Sequence, residues 1–99
     1  MDNHYGGVIW TNHALERLRD RGIKQGDAWA TWSSPQSSRK GNSGSWVYYR
    51  VYGSTRIEVV AKKNEKGEWL ILSVWSKPVY ENEKGRESFW KSIFKKLFF

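Results

Sequence analysis

Ninety-nine residues with 38% apolar side chains suffice for one domain with a modest core, and no composition break divides the chain, which reads as a single domain over 1–99. Seventeen Lys and Arg against ten Asp and Glu give a net charge of +7, which points to a polyanionic partner, nucleic acid first and an acidic membrane surface second. With no cysteine, and two histidines without an acidic cluster at ligand spacing, disulfides and thiol chemistry are excluded, and neither a metal nor another cofactor is implied. The first seven residues lack an apolar signal-type stretch, and no segment approaches the ~18 apolar residues of a membrane span, so a cytoplasmic protein without a transmembrane segment is expected. Seven Trp, five Tyr and four Phe exceed what a core of this size hides, which leaves aromatic faces for a use such as base stacking.

Gly6 and Gly7 predict a flexible N-terminal tail, in which His4 has no evident role. Val8, Ile9 and Trp10 form a short strand that leads straight into the most informative stretch, Thr11 to Ile23, TNHALERLRDRGI. Thr11 or Asn12 caps a helix with the apolar stripe Ala14, Leu15 and Leu18, and Gly22 ends it. At roughly 100° per residue, His13, Arg17 and Arg21 share an ~80° sector beside that stripe. One imidazole and two guanidiniums on such a ridge suit a phosphodiester and supply a titratable group near neutral pH. The same residues also read as a solvated face with local pairs Arg17 to Asp20 and Glu16 to Arg19.

A second, shorter helix is predicted from Ile23 to about Trp32, with Ala28, Trp29 and Trp32 as core positions and Pro35 beyond its end. Ser33 to Gly44 contains no apolar residue and reads as a mobile surface loop, whose Arg39 and Lys40 either close over a polyanion or belong to a plain basic linker. An antiparallel meander follows: Ser45 to Tyr52, Thr55 to Lys63 and Glu68 to Lys77, with turns at Gly53-Ser54 and Asn64-Glu65-Lys66-Gly67. Alternation separates Trp46, Tyr48, Arg50 and Tyr52 from Val47, Tyr49 and Val51, and separates Ile57, Val59 and Ala61 from Arg56, Glu58, Val60 and Lys62. One sheet face then takes the helices. The other is expected to carry Tyr48, Arg50, Tyr52, Arg56, Glu58 and Lys62, with the facing of Trp69 and Trp75 left open by the register. After Pro78 and a charged connection, Ser88 to Phe98 reads as an amphipathic helix with Phe89, Trp90, Ile93, Phe94 and Leu97 on one side. It either docks on its own domain or is exposed to a dimer mate, another partner or a membrane surface.

The segment HALERLRDRGI, a short helix ending in SP, and then GSWVYYRVYG and IEVVAKKNEKGEWLILSVW, resembles a widespread family of small bacterial and phage proteins of unknown function. That family is grouped with the barnase, EndoU, colicin and RelE assemblage of RNA-cleaving toxins. The resemblance runs from Thr11 to about Trp75 and rests most specifically on His13, Arg17, Arg21, Gly22 and Ile23. It implies an α+β fold with two N-terminal helices packed on an antiparallel sheet of three to four strands. The RelE-like core would span 8–77, and the C-terminal amphipathic helix would be an extension at 85–99.

The resemblance also implies metal-independent RNA cleavage, in which the ribose 2′-hydroxyl attacks the adjacent phosphorus. A base then takes the hydroxyl proton, an acid protonates the leaving 5′-oxygen, and cations stabilise the phosphorane. In that reading His13 is acid or base, Glu58 a base, Arg17 and Arg50 the electrostatic clamp, and Tyr48 a stacking platform or alternative proton donor. Arg21, Arg39, Lys40, Tyr48, Tyr52, Arg56 and Lys62 are the candidate RNA contacts. The partners implied are RNA, free or on the ribosome, and a cognate antitoxin or self-association through the C-terminal helix. The alternative is a non-catalytic nucleic-acid-binding module that uses a basic aromatic sheet face, since binding needs only charge and π surfaces.

Overall fold

The computed structural model describes residues 2–79 of the chain, so the helix expected over Ser88 to Phe98 lies outside the described residues. In chain order these are β1 (Ile9–Trp10), α1 (Asn12–Arg21), α2 (Gln25–Ser33), β2 (Ser37–Lys40), β3 (Trp46–Tyr52), β4 (Thr55–Lys63) and β5 (Trp69–Pro78). The class is α+β, and both helices lie against one sheet of order β1-β5-β4-β3-β2.

Two expectations about the sheet are corrected. It has five strands where three to four were expected, and it is mixed, because β1 pairs with β5 in parallel. The parallel pair follows from the chain path: the chain leaves β1 directly into α1 and returns beside it only at β5, which requires a helical crossover. The additional strand is β2, read from sequence as part of a mobile loop. All four of its residues are exposed, so no apolar pattern marks it. It forms by laddering onto β3, with Ser37 opposite Tyr49 and Lys40 opposite Trp46, and edge strands tolerate such polar composition.

α1 follows from its end signals. The Thr11 hydroxyl accepts from the Ala14 amide at 3.1 Å and lies within donating distance of the Ile71 and Leu72 carbonyls, at 3.0 and 3.2 Å. One side chain thus caps the helix and fastens it to the central part of β5. Gly22 ends the helix in the left-handed region, at φ 62°, with its amide and that of Ile23 returning to Arg19 and Leu18 carbonyls. The buried stripe Ala14, Leu15 and Leu18 meets Ile57, Val59, Ala61, Ile71 and Val74 of β4 and β5, together with Trp10, Ile23 and Ala28.

The N-terminal tail is tied down where flexibility was expected. Trp10 exchanges hydrogen bonds with Asn3 through the Trp10 amide and the Asn3 side chain. The buried Trp10 indole donates to the Tyr5 carbonyl at 2.9 Å, and the Trp29 indole donates to that of Gly6 at 3.0 Å. Two indole N–H groups needing acceptors therefore order the segment. Gly6 sits at φ 71°, and a Cβ there would overlap the Trp29 ring.

Gly6→Ala should therefore destabilise the domain by about 1–3 kcal/mol, from steric overlap and left-handed strain together. Urea unfolding measures it, and an unchanged midpoint would mean that the tail contributes nothing to the fold.

Candidate functional site

The faces of the sheet follow from register. The two-residue turn Gly53-Ser54 places Tyr52 opposite Thr55, so Tyr48 pairs with Val59 and Arg50 with Ile57. Directly paired residues share a face. Tyr48, Arg50 and Tyr52 thus lie on the helix side, which corrects their expected grouping with Arg56, Glu58 and Lys62. The Tyr52 hydroxyl donates to the Asp27 carbonyl of α2 at 3.1 Å, and Arg50 reaches the Ser34 carbonyl at 3.3 Å while lying 5.4 Å from the Tyr52 ring centre. These two residues join β3 to α2. Lys40 is also on this side, 6.0 Å from the centre of the Trp46 ring.

The opposite face carries Arg39 and Val47, Tyr49 and Val51, Arg56, Glu58, Val60 and Lys62, and Trp75 and Lys77. A β-bulge opposite Val60 and Ala61 decides the last two: it inserts Leu72, so that Ala61 pairs with Ile71 but Val60 with Ser73. Without that extra residue Glu58 would oppose Val74, and Trp75 would face the helices. With it, Tyr49, Glu58 and Trp75 form one row across three strands, and Val74 enters the core.

Glu58 is the organising residue of this face. It is 1% exposed, yet it lies on the side away from the apolar core. Arg39 Nη2 stands 3.4 Å from Oε1, while Arg56 Nε and Lys77 Nζ stand 2.8 and 3.6 Å from Oε2. The short Arg56 contact is an ion pair without directed hydrogen bonding: neither Arg56 Nε nor Glu58 Oε2 has an aligned partner. Distance and alignment disagree here, and attraction between opposite charges needs only the distance. Arg56 also lies 3.6 Å from the centre of the Tyr49 ring, within cation–π range. Its position is fixed from two sides, whereas the Arg39 and Lys77 side chains remain 54% and 57% exposed.

The sequence candidates do not form one constellation. His13, Arg17 and Arg21 are on α1, which packs against β5 on the helix side, across the sheet from Glu58. Arg17 makes a long, exposed contact with Asp20 at 3.9 Å, and Arg21 donates to the Ser76 carbonyl at 3.0 Å. His13 is exposed. The structure brings together Arg39, Arg56 and Glu58, with Lys62 further along the same face of β4. Sequence reasoning missed Tyr49 and Lys77 and left Trp75 open. The turn length already implied Tyr49, since a two-residue hairpin fixes which parities pair, but nothing local marked the bulge that brings in Trp75 and Lys77.

Among the described residues no three His, Cys, Asp or Glu side chains gather as a metal centre would require, and no helix is long and apolar enough to cross a membrane. Compared with family models, curated proteins and solved structures, the chain matches none.

Burial raises the Tyr48 phenol above its ordinary value of 10.0, so the folded state holds the proton more tightly than the unfolded chain does. The associated stability is complete below about pH 10 and is lost as pH rises from there through the folded value. Tyr48→Phe should remove part of the alkaline loss of stability seen in denaturant titrations above pH 10, with no comparable effect at pH 7. An identical alkaline slope in both proteins would show that the phenol is not responsible.

Proposed function

We propose that the protein binds single-stranded nucleic acid, RNA foremost, on the sheet face opposite α1 and α2. The observation that carries this reading is the gathering of Arg39, Arg56 and Lys77 around the one carboxylate of Glu58, in a row flanked by Tyr49 and Trp75. Three cations against one anion leave a positive patch for phosphates, and half-buried aromatic rings beside it suit unpaired bases. A duplex hides its base faces, so single strands should bind better. The net charge of +7 acts in the same direction over longer range.

Fluorescence anisotropy of a labelled RNA 12-mer across a salt series tests the reading. Affinity should fall steeply with salt, and Arg39→Ala or Lys77→Ala should each lower the slope by about 0.7. Trp75→Ala should cost about 1–3 kcal/mol with the slope unchanged. Salt-independent binding, equal binding of a duplex, or full affinity after both cation replacements would refute this placement.

RNA cleavage by 2′-hydroxyl attack is the second reading. It is favoured by Glu58 Oε2, a buried carboxylate oxygen with no aligned donor, set among cations that would stabilise a phosphorane. His13 and Arg17 belong to this reading through their shared edge of α1 and the resemblance, and they lie across the sheet from Glu58. Incubation with mixed-sequence RNA in EDTA should yield 2′,3′-cyclic phosphate and 5′-hydroxyl ends, and 2′-O-methyl RNA should be inert. A proton-transfer group typically contributes about 10² to 10⁴ in rate, so a loss of that size in Glu58→Gln but not His13→Ala places the chemistry on the sheet. The reverse pattern places it on α1, and intact RNA throughout leaves the binding module alone.

A further inference from the structure

We infer that Glu58 is a positioning residue that strengthens polyanion binding although it carries a negative charge, by holding Arg39, Arg56 and Lys77 together as one receptor for a phosphodiester. This inference rests on the binding reading above and goes beyond it in the sign of the effect. A carboxylate in the middle of a basic patch ordinarily weakens attraction for phosphate, and its replacement ordinarily strengthens it.

Three features argue for the opposite sign here. The first is where the cations come from. Arg56 of β4 and Lys77 of β5 pair directly, two like charges side by side, while Arg39 belongs to the edge strand β2 with β3 between, so the backbone alone neither brings the Arg39 head to the other two nor offsets the repulsion between them. Side chains of this length, more than half exposed at Arg39 and Lys77, otherwise sample many rotamers, and binding would have to order them. The second is that the carboxylate gathers these groups while taking only one hydrogen bond from them, the long one from Arg39. Lys77 Nζ at 3.6 Å is beyond hydrogen-bonding distance, Arg39 Nη2 at 3.4 Å is at its outer limit, and Arg56 Nε is not aligned with Oε2. The heads are held by Coulomb attraction while most of their N–H groups stay available to a ligand. The third is that Glu58 is itself 1% exposed. Its charge lies beneath the cations, so a phosphate on the surface meets the cations first and the carboxylate at longer range.

The test compares wild type, Glu58→Gln and Glu58→Asp in RNA 12-mer anisotropy, with thermal unfolding run alongside to confirm that each variant is folded at the assay temperature. Glu58→Gln keeps the shape and raises the net charge by one. Positioning predicts on the order of tenfold weaker binding, and a salt slope lower by about one contact, because the released cations no longer act together. It also predicts coupling: Lys77→Ala should cost markedly less in the Glu58→Gln background than in wild type. Tighter binding with a steeper slope, or additive losses, would overturn the inference while leaving the binding reading intact. If Glu58→Gln does not fold, Glu58→Asp decides at unchanged net charge, since its carboxylate is one methylene too short to hold all three heads: weaker binding supports positioning, and equal binding overturns it. Absence of RNA binding by wild type would remove the binding reading and this inference with it.

Discussion

The central strand β4 meets opposite demands on its two faces, and both the core and the candidate site depend on how it does so. Ile57, Val59 and Ala61 point into the helices and are almost fully buried, while Glu58 between them is as deeply buried on the other side. An apolar side chain is content in such a place, but a carboxylate withdrawn from water needs opposite charge close by. Arg39, Arg56 and Lys77 supply it from three strands. Register is thereby constrained twice over: a one-residue slip of β4 would turn Glu58 into the apolar cluster and turn Val59 out of it, which is costly on both sides.

The bulge in β5 belongs to the same constraint. A regular strand would present either Ile71 or Val74 to the helices, because residues an odd number apart face opposite ways. Both are fully buried in one cluster with α1, and the extra residue Leu72 makes that compatible. The carbonyls of Ile71 and Leu72 at this irregularity are the ones that Thr11 approaches. The strand irregularity and the appearance of Trp75 and Lys77 beside Glu58 are consequences of a single inserted residue, and the helix is fastened to the sheet at the same place.

Legibility in the sequence followed the range of the interactions. α1 was readable from Thr11 to Gly22 because its caps and apolar stripe are local chemistry, and both hairpin turns were readable from Gly53-Ser54 and the Asn64 to Gly67 cluster for the same reason. The N-terminal tail was misread because its order comes from the Trp10 and Trp29 indoles, which find acceptors across a turn and across 23 residues respectively. β2 was unreadable from Ser37, Ser38, Arg39 and Lys40 because a polar edge strand is defined by its neighbour. The grouping of Tyr48 and Tyr52 with Glu58 is a different kind of error. Alternation within each strand and the two-residue turn are both local, but the facing of Tyr48 and Tyr52 follows only from the two together, as parity across the hairpin. Lys77 and Trp75 lay beyond any such step, since no residue in ILSVWSK announces the bulge.

The two functional readings ask different things of the same carboxylate, and the geometry separates them. Binding uses the face as it stands, with Arg39 and Lys77 heads at the surface and Tyr49 and Trp75 beside them. Proton abstraction requires the substrate hydroxyl to come within about 2.6–3.2 Å of Glu58, and a side chain that is 2% exposed does not offer that approach until a cation moves. Arg39 and Lys77 are the ones able to move, because their contacts at 3.4 and 3.6 Å are long and their stems exposed, whereas Arg56 is pinned between Glu58 and the Tyr49 ring. Phosphate drawing Arg39 outward would uncover Oε1, and drawing Lys77 outward would uncover Oε2, with Arg56 left in place beside the carboxylate. The cleavage reading thus needs a rearrangement that the binding reading does not. That difference places the binding reading first.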